Sequence, residues 1–71
     1  MTSDELAHEI YKDFEAMIEA GHAAHPGNLT QHFPRRAAYA LDFVECDISN
    51  PETFLFAIAN DLCENLMEAQ Q

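Results

Sequence analysis

Apolar residues recur at helical spacing in three stretches of the chain. In the first, Leu6, Ile10, Phe14, Met17 and Ile18 gather with Ala7 and Tyr11 on one arc at about 100° per residue, and nearly all the charged residues take the other arc. Thr2 and Glu5 form a capping-box pair ahead of this run, and Asp4 and Glu5 suit the positive end of a helix dipole. The pattern predicts a helix near 3–25, ended either by Gly21 as a C-cap or further on by Pro26-Gly27.

From Pro26 to Phe33 the chain reads as a connection, with Asn28 placed to cap a short turn through Leu29 to His32. Pro34 is a good first-turn residue, and a second helix is predicted near 34–47. Its expected core stripe is Ala37, Leu41, Val44 and Ile48, with Tyr39, Phe43 and Cys46 on a different face. Asn50-Pro51-Glu52 combines a cap, a proline at the first helical position and an acid in the first turn, and predicts a third helix near 51–68. The arc of that helix, Phe54, Leu55, Ile58, Leu62 and Leu66, widens to include Phe56, Cys63 and Met67, which implies a second contact. With no strand alternation and no repeat, the expectation is an all-α, small three-helix bundle, with a short extra helical turn available between helices 1 and 2.

Seventy-one residues fill a single acidic helical domain, 1–71, near the size at which one core just suffices. The 48% hydrophobic content argues against disorder despite the charge. No run approaches the roughly 20 apolar residues of a membrane span, and Met-Thr-Ser-Asp-Glu lacks a basic and apolar leader, so a cytoplasmic location is expected. There Cys46 and Cys63 are expected to be free thiols that pack as small hydrophobes.

Thirteen acidic residues against three basic ones give a net charge of −10, and the acids fall in rows. Glu5, Glu9 and Asp13 repeat every fourth residue, with Glu15 and Glu19 beside them and Asp61, Glu64 and Glu68 on the last helix. Each such step climbs about 6 Å, so the rows set out anionic groups on rigid rods. Solvation alone can account for an acidic face. However, Lys12 is the only lysine, so i to i+4 pairing is nearly absent, and charge of one sign destabilises a fold through self-repulsion. A basic protein partner is the natural complement, whereas direct binding to nucleic acid or an anionic membrane is disfavoured.

Between Ala20 and Leu41 there is no acid, while Arg35, Arg36 and three of the four histidines fall there. Cations in a helix's first turn oppose its dipole, so Arg35 and Arg36 are expected to be held by a salt bridge to a distant carboxylate, with a contact to a partner as the alternative. His22 and His25 have the i to i+3 spacing of a helical metal pair without a defined third ligand, and no metal or other cofactor is expected. Neither a nucleophile motif nor a phosphate-cradling glycine loop is present, and the chain is not expected to be an enzyme.

Through the rows Glu5/Glu9/Asp13, Glu15/Glu19 and Asp61/Glu64/Glu68, its size and its helical content, the chain resembles the small phage-encoded anti-CRISPR proteins, several of which are acidic helical DNA mimics. The resemblance is one of class and rests on no specific motif. It implies a non-enzymatic inhibitor whose carboxylates stand where phosphates would sit. The implied partner is a basic nucleic-acid-binding protein, in the bacterial host cytoplasm the DNA-recognising subunit of a type I CRISPR surveillance complex. The rows themselves are the expected partner-binding residues. A competing expectation is a helical protein–protein interaction module, antitoxin-like or an adaptor, that docks through the Tyr39/Phe43 and Phe56/Met67 stripes. Either way the chain is expected to be a monomer or a weak homodimer.

Overall fold

A computed structural model describes residues 2–34 and 37–69. Among them the chain forms four helices and no strand: α1 (Ser3–Glu19), α2 (Pro26–His32), α3 (Ala37–Glu45) and α4 (Pro51–Ala69). None of these helices is long and apolar enough to cross a membrane. The body measures 37 × 19 × 16 Å, and α4 packs against both α1 and α2.

α1 begins as its capping residues direct. The Glu5 backbone N–H donates to the Thr2 hydroxyl oxygen at 3.2 Å, and that hydroxyl donates to Glu5 Oε1 at 3.2 Å. Of the two ends open in the sequence, the structure takes the earlier. Gly21 adopts φ 109°, its N–H donates to the Ile18 carbonyl, and the His22 N–H reaches back to the Met17 carbonyl at 3.1 Å. This is a Schellman closure with glycine at the left-handed position. α3 closes in the same way with a costlier residue. Asp47 stands at φ 58°, and the Ile48 N–H donates to the Phe43 carbonyl at 2.8 Å.

The short turn expected from Asn28 is a helix in its own right that starts earlier. His25 is its extended N-cap and Pro26 its first residue, while Asn28 lies inside and donates its side-chain amide to the Ala23 carbonyl at 3.2 Å. Leu29 and Phe33, one helical turn apart, both enter the core. Pro34 is not helical, and the following helix is described from Ala37. At α4 the Asn50 cap is realised, with the Thr53 N–H donating to its side-chain oxygen at 3.2 Å.

The core comprises Leu6, Ile10 and Phe14 of α1, Leu29, Phe33, Phe43, and Leu55, Ile58, Ala59, Leu62 and Cys63 of α4. Phe33 joins the helices around it, its ring 4.9 Å from Phe14 and 5.4 Å from Tyr39. The core stripe expected on α3 is realised only at Ile48, which packs against the core just beyond the helix. Ala37, Leu41 and Val44 are exposed, the last two at 67% and 78%, whereas Phe43 is buried and Tyr39 and Cys46 are half-buried. Both faces have helical spacing, so periodicity could not separate them. The aromatic face prevails because Tyr39 and Phe43 bring more apolar area, and the Tyr39 hydroxyl finds an acceptor in the Asp13 carboxylate. Phe43 packs edge-on to Phe54 at 6.1 Å and so ties α3 to the start of α4.

Candidate functional site

The two acidic rows of α1 lie side by side on the part of the helix turned away from the core arc, about 100° apart around its axis. Glu5 and Glu9 lie exposed in one row. Asp13, which continues that row, is half-buried and accepts the hydrogen bond from Tyr39, so its carboxylate is engaged in the contact between α1 and α3. Glu15 and Glu19 are exposed in the neighbouring row. On α4, Asp61, Glu64 and Glu68 are all exposed.

The fold brings part of this set together. Glu15 and Asp61 line one open groove between α1 and α4, of about 620 Å³. Its walls have matching spacing: Asp4, Ala7, His8, Tyr11 and Glu15 on α1, and Phe54, Ala57, Ile58, Asp61 and Asn65 on α4. Positions i, i+3, i+4, i+7 and i+11 form one stripe of a helix, so each wall is a single stripe. The Asn65 side-chain amide donates to the Tyr11 hydroxyl at 3.1 Å, a cross-link between the walls. The result is a trough with Asp4, Glu15 and Asp61 among its lining carboxylates and Ala7, Tyr11, Phe54, Ala57 and Ile58 as apolar lining. Asp13 instead borders a separate depression with Met17, His22 and Pro34, and Glu64 borders another with Ile18, Cys63 and Met67.

Asp4, His8, Tyr11 and Asn65 were not among the residues singled out for docking. The α1 members share with Glu15 a stripe at i, i+4, i+7 and i+11, which is visible in the sequence. It could not be assigned to a groove without knowing which flank of α1 receives α4.

The apolar stripes of the competing expectation are only half available. Tyr39 and Phe43 face inward, so that pair is withdrawn as a docking surface, while Phe56 and Met67 remain 49% and 65% exposed. Leu41 and Val44 are the outward apolar residues of α3.

His22 and His25 follow the end of α1 and are not on a helix, so the i to i+3 geometry read from their spacing is not formed. The His22 ring meets that of His32 at 5.5 Å instead. Among the described residues no group of three or more His, Cys, Asp or Glu side chains is arranged to hold a metal ion. Cys46 and Cys63 are not joined in a disulfide, and burial pushes the Cys63 thiol pKa up. Arg35 and Arg36, with the salt bridge expected of them, lie outside the described residues.

No protein family, curated protein or solved structure matches the chain.

Proposed function

We propose that this protein is a non-enzymatic inhibitor that docks its carboxylates onto the nucleic-acid-binding surface of a basic protein. The observation that supports this reading best is the trough between α1 and α4, where Glu15 and Asp61 from different helices stand on one concave, anionic surface. Outside it, Glu19, Glu64 and Glu68 add exposed charge, and a chain of net charge −10 is drawn to a cationic partner at long range. Lysines and arginines that neutralise phosphates are the complement of such a surface. The finer assignment, a phage anti-CRISPR acting in the bacterial cytoplasm on the DNA-recognising subunit of a type I surveillance complex, rests on the resemblance in size, acidity and helical content alone. It is tested by mixing the protein with a purified type I complex and its duplex target in a mobility-shift assay. Loss of the shifted DNA at low salt, restored as salt rises, is the expected result. Unchanged DNA binding in excess protein rejects that target. Capture from bacterial lysate that returns no nucleic-acid-binding protein rejects acidic docking itself.

A second reading, an interaction module of apolar character, is favoured by one observation: Leu41 and Val44 project from α3 into solvent one helical turn apart. It predicts binding that is insensitive to salt and lost in Leu41→Ser with Val44→Ser.

A further inference from the structure

We infer that the groove between α1 and α4 takes arginine side chains of the partner, with their stems on its apolar lining and their guanidinium heads on its carboxylates. The inference rests on the acidic-docking reading and deepens it from a charged surface to a shaped site. A solvated acidic face needs no apolar floor, yet Ala7, Tyr11, Phe54, Ala57 and Ile58 line this groove between Asp4, Glu15 and Asp61. An arginine side chain has the same division, an apolar stem and a planar cationic head, and that head also stacks on aromatic rings such as those of Tyr11 and Phe54. Asp4 and Glu15 on one wall are separated by about 16 Å of helix rise, as are Phe54 and Asn65 on the other. That length admits an extended stretch of about five residues or three turns of helix. Phosphate mimicry by charge alone predicts no preference between this groove and the flank bearing Glu5 and Glu9. A groove for arginine predicts a strong one.

The test is titration of the full chain with a blocked Arg-Leu-Arg-Arg-Leu-Arg peptide, about 20 Å long when extended, followed by amide chemical shifts. The citrulline counterpart, which keeps the shape and loses the charge, is the control. The expected result is shifts centred on Ala7, Ala57 and Asn65 with the arginine peptide and none with citrulline. Glu15→Gln combined with Asp61→Asn should weaken binding about three- to tenfold. Ala57→Trp, which fills the floor without changing charge, should weaken it similarly, and Glu5→Gln combined with Glu9→Gln should change it less than about twofold. Thermal melts confirm that each variant is folded. Equal losses from both pairs, or shifts centred on Glu5 and Glu9, overturn the groove and leave acidic docking standing. Binding of the citrulline peptide overturns the cationic occupant. Groove shifts that grow with protein concentration alone identify a second copy as the occupant and overturn the inference, and the absence of any shift with the arginine peptide removes acidic docking as well.

Discussion

The Tyr39 hydroxyl donates to the Asp13 carboxylate across the contact between α3 and α1. This bond decides two things at once. It holds the aromatic face of α3 inward, and it commits one acid of the Glu5/Glu9/Asp13 row to structure. Hydrogen bonds to charged groups contribute about 1.5–3 kcal/mol, less where water reaches the pair, and both residues are half-buried. Tyr39→Phe should therefore lower stability by about 1 kcal/mol in urea melts while leaving partner binding unchanged. A variant as stable as the parent would show that packing alone orients α3.

How much of this was legible in the sequence depended on whether one signal stood alone. The Leu6/Ile10/Phe14 arc, the Thr2 and Asn50 caps and Pro51 had no competitors, and α1 and α4 begin where those residues direct. On α3 two apolar faces share one short helix, and the choice between them depends on Asp13, 26 residues away from Tyr39 in the chain. Leu29 and Phe33 carry no core signal in the sequence because seven residues with a glycine show too little periodicity to be distinguished from a connection. The acids were visible one by one, but their division between two faces depends on which flank of α1 packs against α4.

The two left-handed residues make opposite predictions. Gly21 at φ 109° occupies a conformation that side chains rarely adopt, although a Cβ there meets nothing within 4 Å. Gly21→Ala should therefore lose about 1 kcal/mol through backbone strain alone. Asp47 at φ 58° bears a related strain already, so Asp47→Gly should gain a few tenths to about 1 kcal/mol. Urea melts of the two variants, displaced to opposite sides of the parent, are the expected outcome.

Phe14 is fully buried and Leu62 nearly so, at the centre of the contacts among α1, Phe33 and α4. Phe14→Ala should cost about 3–5 kcal/mol and Leu62→Ala about 2–5. For a domain of this size, losses of that order approach the whole stability, so the Phe14 variant should lose most of its helical circular dichroism at 37 °C. A loss under half a kilocalorie for either residue is incompatible with the packing described.

Cys63 is buried on α4, and burial raises its pKa above the ordinary thiol value of 9.0. Two effects follow. Its thiol should react with a disulfide reagent more slowly than that of Cys46, at the rate of opening of the fold, until denaturant equalises them. Because the folded pKa is the higher one, the stability linked to this proton is intact below the unfolded value and falls as pH rises through the folded one. Thiol titration in the single variants Cys46→Ser and Cys63→Ala separates the two sites.

If the carboxylates that line the α1/α4 groove replace phosphates, then reversing them should matter more than reversing Glu5 and Glu9, which lie outside it. Glu15→Lys combined with Asp61→Lys should greatly reduce competition with the partner's DNA, with circular dichroism unchanged, since both residues are exposed. Glu5→Lys combined with Glu9→Lys makes the same change in net charge outside the groove and should reduce competition only slightly. Asp13 belongs in neither set, because its substitution disturbs the bond to Tyr39 and mixes stability with binding. Comparing the two pairs at equal net charge separates local contact from general attraction, which salt screens over roughly 8–10 Å at physiological strength. If both pairs reduce competition equally, and 0.5 M salt abolishes it in the parent, attraction is diffuse and no particular face docks. If inhibition survives both pairs together with Glu19, Glu64 and Glu68 reversed as well, the acidity is solvation and the outward Leu41/Val44 face of α3 becomes the reading to pursue.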